Sequence, residues 1–522
     1  MTEAYVPSVG DLLAEQRTRS RALMTYLVVT VVLVFGTMGA LTYLAPVTPN
    51  YSVGLVGFSV FICLAIPVAV WNNPRIGLYL MVVGSLLLGG GSYMVRDTIP
   101  TTYVPFWWNI STISMFYARK DALKALVFSP AEVLMVITFL AWLIRGIVAR
   151  ELRFEKGAFL GWILAYIGMV TFGFIFGITK GGDTTMALYE VRSQAHFLLG
   201  YIMATNLIRE RKHAVPLVWL LVLSAGLLAV FGTRAYFVLG SKITEQGIMG
   251  HDDSLVLNLL LFAFFIAAIT RVNRRLTIWT AVLLPFAVTA VMANQRRAGI
   301  AAFIVAFVPL LPILWTMFPD RRTTVIRFAV VFALINAVYM PVAWNASGPW
   351  ALPARSIRSN SDPNARDASS NYYRLAENIN LKMTRDTSPW YGIGYGRPFA
   401  QYYALAMVTT DFVHYMPHNS ILWVWMRLGH IGFFFFLMML ATVLIRGMHR
   451  LRETRDPMLR VVGILAVVDM LMLFTFGKYD LQFCNSKQMF VAAVMIGVLG
   501  ILPKLDAQAE DKDQARTAET AA

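Results

Sequence analysis

The chain has 522 residues, 57% hydrophobic and only 14% charged, with a mean hydropathy of +0.60. A soluble domain carries about 25% charged residues, so the composition excludes a soluble globular protein and indicates a chain folded in a bilayer. The net charge of +16 would suit nucleic acid, but the basic residues sit in short connectors between apolar runs, which excludes that reading.

Apolar runs close to the roughly 20 residues of a bilayer-crossing helix recur along the chain. They cover 23–44, 53–71, 76–95, 126–147, 157–178, 195–208, 214–231, 254–270, 276–293, 299–317, 323–343, 419–444, 461–476 and 488–502. The expected fold is therefore an all-α polytopic membrane protein of about fourteen transmembrane helices. Residues 1–20 are polar and no small-residue cleavage pattern follows the first apolar run, so that run is expected to stay as a span rather than leave as a signal peptide. A single transmembrane domain over 1–505 is expected, followed by a disordered cytoplasmic tail, 506–522, rich in Ala, Glu, Asp and Lys. Cys63 and Cys484 lie in or beside apolar segments and read as packing residues. No cluster of His, Cys and carboxylates has metal-ligand spacing, so no metal or cofactor is expected.

Basic residues fall in alternate connectors, among them Arg17/Arg19/Arg21, Arg145/Arg150/Arg153, Arg209/Arg211/Lys212, Arg271/Arg274/Arg275, Arg321/Arg322 and Arg446 to Arg460. That alternation places both termini in the cytoplasm. Several opposite connectors nevertheless carry Arg: Arg192, Arg296, Arg297, Arg355, Arg358, Arg374 and Arg397. Outward Arg opposes the insertion bias. A phosphate at headgroup level is one partner, since the guanidinium fork matches phosphate oxygens; the acids Glu190, Asp362 and Asp367 are the other.

One long polar loop, 344–418, separates two groups of spans and is expected on the outer face with short helices of its own. It carries Arg374 in Tyr372-Tyr373-Arg374-Leu375-Ala376-Glu377-Asn378-Ile379, a candidate amphipathic surface helix. It continues through Ser388-Pro389-Trp390-Tyr391-Gly392-Ile393-Gly394-Tyr395-Gly396 and ends at Pro417-His418-Asn419. Gly392, Gly394 and Gly396 follow no buried strand, so a nucleotide loop is a poor reading; a tight turn that brings backbone close to a ligand or another helix fits better. His418 can take a proton near neutral pH. Asn419 either orients that ring or caps the next helix. Trp107-Trp108 and Trp390-Tyr391 read as interfacial belt residues, with sugar stacking the alternative.

The order Asn294-Gln295-Arg296-Arg297-Ala298-Gly299, Arg374, the Gly392–Gly396 turn, Pro417-His418-Asn419 and Arg427-Leu428-Gly429-His430-Ile431-Gly432 resembles the O-antigen ligase and O-antigen polymerase family over roughly 294–432. Either Arg296 or Arg297 stands where the family has its Ser-Arg-Gly Arg, and Arg427 stands where many members have Glu. The resemblance implies a GT-C-like, metal-independent, inverting glycosyltransferase of the bacterial inner membrane. It implies an undecaprenyl-diphosphate-linked glycan as donor and a glycan or lipid A-core as acceptor. In that frame Arg297, Arg374, Arg296 and Arg192 would bind the donor diphosphate and His418 would be the catalytic base, with Asn419, Gly392, Gly394 and Gly396 supporting. A transporter or flippase of a lipid-linked glycan is the alternative function. It has no need of a catalytic His, and no inverted repeat is evident.

Overall fold

The computed structural model describes residues 65–88, 106–109, 127–239, 247–405 and 411–521. The chain divides into units 1–68 and 69–522, the second of which carries the helices described below. Cys63 and the expected spans 23–44 and most of 53–71 lie outside the described residues, as do the last residues of 76–95.

Fourteen α-helices are followed here: α1 Pro74–Leu87, α2 Pro130–Val148, α3 Leu160–Thr179, α4 Thr184–Leu207, α5 Arg211–Leu239, α6 Asp253–Thr270, α7 Arg274–Asn294, α8 Arg297–Met317, α9 Arg322–Ala343, α10 Leu352–Arg358, α11 Ala365–Asp386, α12 Ser420–Glu453, α13 Pro457–Gly477 and α14 Ser486–Ala521. No strand occurs among the described residues. Ten helices among them are long and apolar enough to cross a membrane. The chain is an all-helical polytopic membrane protein. α14 continues in helix through the polar segment 506–521, where composition suggested disorder.

Helix starts follow local chemistry. Ser129 and Glu132 form a capping box ahead of Pro130. The side chains of Asp183, Asn273, Asn364 and Asp456 each accept the amide of the third residue beyond, opening α4, α7, α11 and α13. Gln295, at φ +56, ends α7 in a left-handed turn, so that α8 begins two residues later. That tight reversal sets Arg296 and Arg297 at one end of the bundle.

The core lies along α6, α13 and α14, whose apolar windows are 83%, 78% and 89% buried; in α9 only 6% is buried, so α9 lies at the periphery of the described bundle. Contacts sort the connectors into two ends. Arg211 meets Asp456 at 2.6 Å and Arg460 donates to Met317 O at 2.6 Å at one. His251 meets Asp480 at 2.6 Å and Asp183 N–H donates to Gly396 O at 2.7 Å at the other, the end that carries the long loop.

Two features depart from simple spans. α4 carries Glu190, Arg192, Gln194 and His196 along its first half, and only its second half was expected as a span. α12 breaks at Gly429, whose φ of 63° and ψ of −167° are not helical. A break inside a bundle exposes backbone groups that lipid cannot satisfy. Here the Pro389–Gly394 segment supplies the partners. Ile393 N–H donates to Met426 O and Gly394 N–H to Arg427 O, while Pro389 O and Trp390 O accept from His430 and Ile431.

Candidate functional site

The glycine turn is docked against helices. Gly392, Gly394 and Gly396 have φ of +71°, +77° and +76°, values that disfavour a Cβ. A Cβ on Gly394 would collide with the backbone of Gly177 in α3, one on Gly392 with Arg427, and one on Gly396 with Asp183 O. The backbone approach is thus to α3, α4 and α12.

Beneath the turn lies a fully buried ion pair. Arg427 Nη2 is 2.5 Å from Glu190 Oε1, with both side chains at zero exposure. Glu190 also accepts from Gly396 N–H at 2.6 Å and Trp423 Nε1 at 3.0 Å. Arg427 donates to Gly394 O at 2.9 Å, Arg397 O at 2.5 Å and Tyr415 O at 2.9 Å. One guanidinium therefore ties the turn to the segment that ends in His418, and Glu190 keeps that charge compensated where water is absent.

His418 sits at the mouth of α12. The carboxylate of Glu377, itself 1% exposed, takes both its backbone N–H, at 3.0 Å, and its ring Nδ1, at 3.1 Å. Nδ1 is thereby engaged, and Nε2 has no hydrogen bond to another described residue. The hydrogen bond from Glu377 is the main cause that raises the imidazole above its ordinary 6.5; burial opposes it, the charges of Glu377 and Asp480 add to it, and Arg374 lowers it. Tyr373 packs edge-on against the ring at 5.5 Å between centroids. Its buried hydroxyl has no hydrogen-bond partner among the described residues, and burial pushes the phenol up to about 12, so it stays protonated. Asn419 caps α12 through Leu422 N–H at 3.0 Å and donates to Asn378 Oδ1 at 3.0 Å.

α11 organises the rest. Asp367, Asn371, Arg374 and Asn378 recur at helical spacing and share one face. Arg297 reaches that face: it donates to Asn371 Oδ1 at 3.3 Å and to Ser359 Oγ at 2.9 Å, and lies 3.5 Å from Asp367. Arg374, one turn beyond Asn371 and one before Glu377, is half-buried; no acid among the described residues forms an ion pair with it. Arg296 points elsewhere, to Met249 O at 3.2 Å. The structure thus brings Arg297, Arg374, Glu377 and His418 to one helix. Arg192 stands apart. Its fork is held by Glu132, through Nε and through Nη2 at 2.6 Å, by Asn109 at 2.7 Å and by Val127 O.

Sequence reading missed Glu377 as a partner of His418, although its i, i+3 spacing from Arg374 put both on adjacent faces of a helix. It also missed the Glu190–Arg427 pair, whose members lie 237 residues apart.

These features define a multi-pass membrane protein with a basic, imidazole-bearing site at one end of its bundle. Residues 281–437 match the O-Antigen ligase family model, and the match supports the O-antigen ligase/polymerase family and a membrane enzyme of that type. The matched segment runs from within α7 to beyond the break in α12, so it contains Arg296, Arg297, Arg374, the glycine turn and His418, and omits Arg192 and Glu190. No curated protein gives a significant match to the chain.

Proposed function

We propose that this protein transfers a glycan from an undecaprenyl-diphosphate carrier to an acceptor hydroxyl, as an O-antigen ligase or polysaccharide polymerase of the bacterial inner membrane. The observation that carries the reading is the grouping on α11: a half-buried Arg374 with no acidic partner among the described residues, one helical turn from the carboxylate that holds His418.

The donor's diphosphate lies against Arg374 and Arg297, whose guanidinium groups stabilise the charge that develops as the anomeric C–O bond breaks. His418 Nε2 takes the proton of the acceptor hydroxyl as its oxygen bonds to the anomeric carbon. Undecaprenyl diphosphate leaves with the bonding electrons. Glu377 fixes the ring's tautomer and stabilises the imidazolium that forms. Attack from the face opposite the leaving group inverts the anomeric centre. These groups supply the charge stabilisation without a metal ion. The acceptor is a lipid A-core or a growing glycan. The alternation of basic connectors supports a site facing the periplasm, with both termini cytoplasmic.

Full-length protein in detergent, given the lipid-linked glycan and its acceptor, should release undecaprenyl diphosphate and yield a glycoside of inverted configuration by NMR. Retained configuration, or no release of the lipid diphosphate, would overturn the reading.

A further inference from the structure

A cleft of about 360 Å³ opens beside the segment that ends in His418. Phe412 and Met416 form one wall, Tyr189 and Arg192 of α4 another, and Trp107-Trp108-Asn109 a third. Its volume falls in the range of clefts that hold small ligands, about 300–1,000 Å³.

The walls are tied together by contacts. Trp107 donates from Nε1 to Ser85 Oγ at 3.2 Å, and its ring packs on His196 at 5.2 Å and Phe490 at 6.0 Å. Asn109 donates to the Tyr189 hydroxyl at 2.9 Å, and Tyr189 meets Phe412 edge-on at 5.5 Å. Arg192, the one charged group in the lining among the described residues, is compensated by Glu132 and has its fork filled. It is therefore not free to grip a diphosphate. An acyl chain is a poor occupant as well, because it would desolvate Asn109, the Tyr189 hydroxyl and Ser486 without hydrogen-bonding to them. Flat aromatic faces alternating with an amide, a phenol and a hydroxyl suit a pyranose, whose C–H face packs on a ring while its hydroxyls bond at the edges.

We propose that this cleft is a saccharide subsite, holding sugar units of the glycan next to the bond formed at His418. The inference rests on the glycosyl-transfer reading and adds to it where the sugar lies. Met416, which lines the cleft, precedes His418 by two residues, so the cleft lies beside the segment that carries the imidazole.

The test is steady-state kinetics on the full-length protein with Phe412→Ala, Asn109→Ala and Tyr189→Phe, using undecaprenyl diphosphate without sugar as a competitive probe. Loss of a ring face or a hydrogen bond should raise a KM about threefold to tenfold, while the inhibition constant of the sugar-free probe stays unchanged. A rise confined to the donor KM assigns the cleft to donor sugars, and one confined to the acceptor KM to acceptor sugars. Unchanged KM values for both substrates, with the probe still competitive, overturn the subsite alone. A probe that fails to inhibit the wild type overturns the donor assignment and the subsite with it. Phe412 is 43% exposed, so its truncation keeps the test open if a change at Tyr189 disturbs the packing.

Discussion

Replacing Glu377 by Gln removes a charge and keeps the shape. The carboxylate now holds His418 through Nδ1 at 3.1 Å and the backbone N–H at 3.0 Å. The single amide oxygen can still accept from Nδ1–H and hold the ring, while the His418 backbone N–H loses its acceptor. A hydrogen bond to a charged partner contributes about 1.5–3 kcal/mol and a neutral one about 0.5–1.5. The His418 side chain is 38% exposed, and solvent screening brings the difference toward about 1 kcal/mol. That lowers the imidazole pKa and, by withdrawing support from the forming imidazolium, slows plateau turnover about fivefold. The sign follows from the base role. Only neutral His418 accepts a proton, so activity climbs as pH rises through its pKa, and Glu377 places that climb above the ordinary 6.5. Glu377→Gln should move the acidic limb of kcat/KM to lower pH. Arg374→Lys retains the charge that opposes protonation and should leave the limb nearly in place. The assay is transfer from lipid-linked donor across the pH range. A limb that stayed put in Glu377→Gln, or moved to higher pH, would refute the dyad. Glu377→Ala should cost about 10²-fold or more, because a misplaced ring loses near-attack geometry.

Other consequences are open to measurement. Arg374→Ala should cut kcat/KM by about 10²-fold or more through lost charge stabilisation, and Arg374→Lys should restore it only in part, since Lys lacks the fork; wild-type rates in Arg374→Ala would remove it from the site. Arg427→Met leaves Glu190 buried without its partner and should cost about 3–5 kcal/mol of stability, with Glu190→Gln in the same chain recovering part of it; thermal unfolding in detergent reads both. Gly394→Ala, forced to carry a Cβ at φ +77° against Gly177, should lower both thermal stability and transfer. A cysteine at exposed Ser361 should react with an impermeant thiol reagent in intact spheroplasts, and labelling only after permeabilisation would reverse the orientation.

The spans were legible because bilayer thickness imposes a length and an apolar composition that sequence displays directly. α4 was half hidden for the converse reason. Its Glu190, Arg192 and His196 are polar to the hydropathy of a single chain and are satisfied by groups from elsewhere in the fold, among them Arg427, Glu132 and Asn109. The loop's chemistry was visible residue by residue, but its assembly was not. Arg296 and Arg297 are neighbours in sequence, and only the left-handed turn at Gln295 sends the first toward Met249 and the second toward α11. Gly429 reads as an ordinary residue of an apolar helix until the glycine turn is seen to occupy the break it makes.

In the proposed mechanism His418 reacts while the Arg groups bind. Donor affinity and single-turnover transfer, measured on His418→Ala in one detergent preparation, separate the two roles. The account predicts affinity for the lipid diphosphate close to wild type and transfer lower by about 10²–10⁴-fold. Normal turnover, or loss of donor binding in place of turnover, would contradict it.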